Sequence, residues 1–171
     1  MENDILVAYA SKYGATAEIA QRVGEVLRDY GLITNVIPAD QVDALDSYRA
    51  VLLGSAVYAG QWRKEAVSLL EQNEQLLTAR PVWFFSSGPT GEGDASALMN
   101  GWLFPEAQQP ISDRIRPRGI AFFHGAIDIK KLGFAERLIV KGLKAPVGDF
   151  RDWDAIAAWA TEIGKQLKRE N

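Results

Sequence analysis

Hydrophobic residues along the chain alternate between short continuous runs and helical stripes. Ile5 to Ala10 (ILVAYA) is a near-continuous apolar run with β-branched and aromatic members, the pattern of a strand buried on both faces. The period then changes. Over 16–30, Ile19, Ala20, Val23, Val26 and Leu27 recur at helical spacing, with Glu18, Gln21, Arg22, Glu25 and Arg28 opposite and Gly31 as a stop. Further strands are predicted at Ile33–Ile37, Tyr48–Gly54, Pro81–Phe85 and Gly119–His124. A helix over 63–79 turns Ala66, Leu69, Leu70, Leu76 and Leu77 inward. A last helix over 153–168 carries the stripe Trp153, Ile156, Trp159, Ala160, Ile163 and Leu167, with Asp152 as its N-cap. Residues 88–117, rich in Gly and Pro, read mostly as loop, with a short helix near 106–115.

Strands that alternate with helices make βαβ units, hence an α/β fold with a doubly wound, five-stranded parallel sheet and helices on both faces. Residues 1–171 read as one domain, without internal repeat or linker.

Composition removes whole classes of chemistry. There is no cysteine, which excludes disulfides, thiol nucleophiles, iron–sulfur clusters and cysteine zinc sites, and the single histidine, His124, excludes a histidine-rich metal site. The net charge of −3 gives no reason to expect nucleic acid as a partner. Neither a basic, apolar leader nor a membrane-length run is present, so a cytoplasmic protein is expected, with any membrane contact peripheral. No Ser-His-Asp or paired-carboxylate arrangement stands out, and no catalytic residue or metal ligand is assigned. His124, at the end of the fifth strand, is read as structural or solvent-facing.

In such a sheet, ligands bind outside the carboxyl ends of the strands. Three loops should converge there: Ser-Lys-Tyr-Gly-Ala-Thr (11–16), Ser-Ala-Val-Tyr-Ala-Gly-Gln-Trp (55–62) and Ser-Ser-Gly-Pro-Thr-Gly-Glu-Gly-Asp (86–94). The first is a strand–turn–helix with Ser11 and Thr16 around Gly14. Unpaired N–H groups and the positive end of the helix dipole suit a phosphate monoester there; equally, the hydroxyls can simply cap the helix. It is neither a Walker A loop nor G-x-G-x-x-G. In the second loop Tyr58 and Trp62 flank Gly60; they can stack on a flat ring, or Trp62 can pack at the start of the next helix. The third presents Ser86, Ser87, Gly88 and Thr90 to a ring edge, or is an ordinary flexible loop, to which Gly91–Asp94 are assigned. Together the loops suit a flat ring with a short phosphorylated tail.

With these motifs the sequence resembles the flavodoxin superfamily, whose phosphate loop follows a strand as [Ser/Thr]-x-x-Gly-x-Thr. Tyr13 stands where that family more often has threonine. S-K-Y-G-A-T, G-S-A-V-Y-A-G-Q-W, R-P-R-G-I-A-F-F-H-G-A-I (116–127) and the late Asp152-Trp153 are similar to the flavodoxin-domain family that includes menaquinone-dependent protoporphyrinogen oxidase. The resemblance implies strand order 2-1-3-4-5 and non-covalent FMN. Ser11, Lys12, Tyr13, Gly14, Ala15 and Thr16 would hold its phosphate. Val57, Tyr58, Ala59, Gly60 and Trp62, with Ser86, Ser87, Gly88, Pro89 and Thr90, would flank its ring.

The resemblance also marks an insertion after strand five, at about 126–150. Leu132, Ala135, Ile139 and Leu143 share one helical face in it, and Pro146 ends the run. Residues 112–144 carry a net +5, leaving −8 for the rest. A basic amphipathic segment on an acidic protein can rest on an anionic membrane, guide an acidic, apolar substrate, or be a solvated surface helix. The expectation is an FMN-dependent oxidoreductase that oxidises a porphyrinogen or similar reduced compound and passes electrons to a quinone, with peripheral contact at the inner membrane face through 126–145. The alternative is an electron carrier that docks redox partner proteins. The insertion discriminates: a pocket wall beside the flavin favours the enzyme, and a segment folded away favours the carrier.

Overall fold

The structure is a computed structural model that describes residues 4–170. The central sheet is built on β1 (Asp4–Ala10), β2 (Thr34–Pro38), β3 (Tyr48–Tyr58), β5 (Val82–Ser87) and β6 (Gly119–Phe123), parallel in the order β2-β1-β3-β5-β6; β4 (Gln61–Trp62) adds an antiparallel rung to the end of β3. Counting only the five long strands, this is the expected order 2-1-3-4-5.

Strand alternation splits the core in two. Ile5, Val7, Leu52, Trp83 and Phe85 face α1 (Ala15–Asp29) and α7 (Trp153–Arg169). Leu6, Ala8, Leu53 and Phe84 face α2 (Lys64–Gln72) and α3 (Glu74–Thr78). A strand covered on both sides has no polar face, which is why these runs are continuously apolar. Two short helices, α4 (Ala95–Leu98) and α5 (Gln109–Ile115), lie within the Gly- and Pro-rich stretch. Asp152 caps α7 as expected, its Oδ1 accepting from Ala155 N at 2.9 Å.

Three boundaries differ from the sequence reading. The helix expected over 63–79 breaks at Asn73, whose Nδ2 donates to Leu69 O at 2.9 Å and competes for a helical carbonyl. β3 runs on to Tyr58 and β5 to Ser87, so the second and third loops begin later than expected. The insertion opens with a two-rung antiparallel neck, β7 (Ala126–Ile127) paired with β8 (Gly148–Asp149), and carries α6 (Phe134–Gly142) between them.

Candidate functional site

The first loop is shaped by two residues. Gly14, at φ 94° just before α1, sits in the left-handed region, which glycine adopts without steric cost. Its N–H donates to Ser11 Oγ at 3.0 Å, closing the turn. The following N–H groups of α1 have no acceptor within the helix and carry the positive end of its dipole. Thr16 is buried, and its Oγ1 hydrogen-bonds Ser87 Oγ at 2.8 Å, which ties the first loop to the end of β5.

The second loop is a two-residue hairpin turn. Ala59 (φ 49°) and Gly60 (φ 72°) both have positive φ, and Tyr58 pairs with Gln61. That tight turn suits the twist of the strands it joins. It leaves Tyr58 half-exposed beside the loops, where partial burial pushes its phenol pKa up. The third loop is anchored from β6. His124 brings one ring nitrogen to Pro89 O (3.2 Å) and the other to Gly93 O (2.6 Å), and Gly125 N donates to Pro89 O at 2.9 Å. A Cβ on Gly125 would lie 2.9 Å from Gly88 O, so only glycine lets these two backbones approach so closely.

The insertion stands over this edge. Glu136, in the first turn of α6, hydrogen-bonds Lys12 Nζ and the Tyr13 hydroxyl, and accepts from Gly133 N at 3.1 Å. Lys131 Nζ donates to Tyr13 O at 3.3 Å. The Lys12 ammonium, then Tyr13, hold the Glu136 carboxyl far below the usual range, to about 2, and Glu136 in turn raises Lys12. At the neck the buried Arg151 side chain joins Asp149 (2.7 Å) to Ala15 O (3.1 Å) and stacks on Trp153.

These parts enclose a cavity of about 420 Å³. Lys12, Tyr13, Ala15, Thr16, Val57, Tyr58, Ser87 and Gly88 line it on the sheet side. Ser11 and Gly14 shape the turn and border an adjoining hollow of about 250 Å³. Ala59, Gly60, Pro89 and Thr90 do not line the main cavity. Two expectations need correction. Trp62 is buried, edge-on to Phe84 and Phe104, and its Nε1 donates to Ser86 Oγ at 2.7 Å. Ser86 is fully buried with it, because β5 continues through it and alternation gives it the Phe84 face. Neither is available to a ring edge.

The structure adds residues that sequence reasoning missed. Arg63 follows the Trp62 rung and lines the cavity, its guanidinium paired with Glu65 at 3.0 Å; Gly125–Asp128 line it too. Glu136 and Val140 join Leu132, Ile139 and Leu143 as the opposite wall, whereas Ala135 is exposed. The helical spacing of 136, 139, 140 and 143 was the available signal.

The arrangement fits FMN. Its volume lies in the usual range of small-molecule sites. One end offers a helix N-terminus, hydroxyls and Lys12, as a phosphate requires; the other is walled by Val57, Ile139, Val140 and Leu143, as a flat ring requires. Glu136 and a phosphate at this turn both draw on Lys12.

No curated protein sequence matches the chain. Among solved structures, a flavodoxin from the domain Archaea is 14% identical with a TM-score of 0.62, covering 96% of this chain and 99% of that one. Flavodoxin 2 from Bacillus cereus is 16% identical with a TM-score of 0.59, covering 98% and 99%. The flavodiiron core of Flv1 from Synechocystis sp. is 14% identical with a TM-score of 0.63, covering 99% of this chain but 37% of that one. At these identities the likeness is one of fold. The flavodoxin domain family model matches residues 6–154. The chain therefore belongs to the flavodoxin-domain family and is an FMN-binding electron-transfer flavoprotein.

Proposed function

We propose that the chain is an FMN-dependent oxidoreductase that oxidises a reduced, acidic and apolar compound of the porphyrinogen kind and passes the electrons to a quinone. One observation carries this reading: α6 builds an apolar wall over the cavity at the carboxyl edge of the sheet. A small-molecule site needs such a wall to hold an apolar substrate and to exclude water. A carrier serving protein partners needs a bare flavin edge.

FMN, when bound, supplies the electron-accepting centre. The chain's own residues bind and orient. The Ser11–Gly14 turn, Lys12 and the α1 N-terminus would hold the phosphate. The Thr16–Ser87 hydrogen bond fixes the spacing of the first and third loops. Val57, Tyr58 and Gly88 would border the ring. Arg63, which lines the cavity paired with Glu65 at 3.0 Å, would meet a carboxylate of an acidic substrate, whose apolar body would lie between the ring and Ile139, Val140 and Leu143.

The test is anaerobic turnover of protoporphyrinogen IX by the FMN-loaded protein with menadione as acceptor, followed by porphyrin fluorescence. The reading expects turnover that falls at least tenfold (roughly the loss of one well-packed apolar contact) in Val140→Asp. Flavin-loaded protein without turnover would overturn it. A second reading, an electron carrier docking redox proteins, is favoured by the end-to-end likeness to flavodoxins. It expects no porphyrinogen turnover and rapid electron exchange with a redox protein.

A further inference from the structure

The helix α6 has two working faces. Glu136, Ile139, Val140 and Leu143 look toward the cavity. Phe134, Leu138 and Lys141, spaced three and four apart, lie on the opposite side of the helix. That outer side has no cover: Phe134 is 81% exposed and Leu138 55%; the cavity side is open as well, with Ile139 59% and Leu143 75% exposed, but there the cavity lies beneath it. Apolar Ile129 and Val147, at the two ends of the segment, are exposed as well. Phe134 and Leu138, one helical turn apart on the same side, make an exposed apolar pair, and an apolar patch on a helix marks a surface made to be covered.

Charge says by what. Lys130, Arg137, Lys141 and Lys144 are exposed around these residues. Of the nearby acids, Glu136 is turned to Lys12 and Tyr13, and Asp128, which accepts from Lys130 N at 3.0 Å, is one negative charge against these four cations; Arg137 also holds Ile129 O and Leu132 O through its Nε. The basic patch sits on a protein whose net charge is −3. An anionic plane attracts this face and repels the remainder, so the approach has one preferred orientation. Large apolar side chains ringed by lysine and arginine are the composition of helices that lie in a lipid interface. Among the described residues no helix is long and apolar enough to cross a membrane, so contact through this helix lies at the surface.

We propose that the outer face of α6, with Phe134 and Leu138 as the inserted residues and Lys130, Arg137, Lys141 and Lys144 as the headgroup contacts, docks the protein on an anionic lipid bilayer. The cavity then opens beside the bilayer, with only the thickness of α6 between them, which brings an apolar electron donor or acceptor dissolved in lipid within reach of the site. The docking itself does not depend on which compound the cavity oxidises.

The test is co-sedimentation of the FMN-loaded protein with vesicles. One set is phosphatidylcholine alone, and the other is equal parts phosphatidylcholine and phosphatidylglycerol. Binding is expected to the anionic vesicles only and to weaken as salt rises. Phe134→Ser is expected to weaken it by about tenfold and Lys141→Gln by about fivefold. Lys168→Glu, an exposed cation at the end of α7, should leave binding unchanged. Flavin absorbance confirms that each variant is folded and loaded. Absence of binding at low salt would overturn the proposal. So would binding that neither α6 variant weakens, or a concentration-dependent dimer that Phe134→Ser dissolves while vesicles remain bare.

Discussion

α6 and α7 follow one rule in sequence and reach opposite ends in structure. Each carries apolar residues at helical spacing with charged residues between them. In α7, Ile156, Ala160, Ile163 and Leu167 are all buried against α1 and the sheet. In α6 nothing is buried: one face walls a cavity and the other is open. An amphipathic stripe establishes that a helix needs a neighbour; it does not establish that the neighbour belongs to the same chain. The fold is held by helices of the first kind, and the second kind is set aside for what binds.

The largest effect should fall on the buried helix. Ile156→Ala removes a fully buried side chain between α7 and the sheet and should cost about 2–5 kcal/mol in urea unfolding. A loss below about 1 kcal/mol would mean that α7 is less integral than its burial implies. Next comes the joint between the first and third loops. Thr16→Val keeps the shape but loses the bond to Ser87 and a hydroxyl beside the phosphate turn, and should weaken FMN binding by about 1–3 kcal/mol. An unchanged dissociation constant in a flavin fluorescence titration would remove Thr16 from the site.

Smaller effects are expected in α6. Glu136→Gln removes a negative charge that shares Lys12 with an incoming phosphate, so FMN should bind several-fold more tightly. Its carboxyl is depressed, so the link from α6 to the loop is in full force above the ordinary value of 4.5 and fails as pH falls through about 2. Protease protection of 133–142 followed against pH reads that link directly; loss at neutral pH would contradict it. The smallest effect is Leu138→Ala, which should change stability by less than about 0.5 kcal/mol because the side chain touches mostly solvent. A cost like that of Ile156→Ala would erase the contrast between the two helices.

Most of the architecture was legible because it is written in period. Continuous apolar runs marked strands covered on both faces, and the change to helical spacing marked what covers them. Site residues were legible where backbone conformation demands a residue type, as at Gly14, and less so where the outcome depends on strand length. Two further residues of β5 were enough to turn Ser86 inward onto Trp62 while Ser87 faced Thr16, a matter of parity that a sequence cannot settle when a strand's end is uncertain. Arg63 and Glu136 were missed for another reason. Each looks like an ordinary surface charge, Arg63 just before α2 and Glu136 in the first turn of α6, and only the folding of the insertion over the first loop brings Glu136 to Lys12.

The central claim is that α6 is a wall of the FMN cavity. Hydrogen–deuterium exchange of the protein with and without saturating FMN tests it most directly. The account predicts that FMN slows exchange together in 11–16, in 87–90 and across 132–143. Slowing confined to the first two segments, with α6 unchanged, would contradict it.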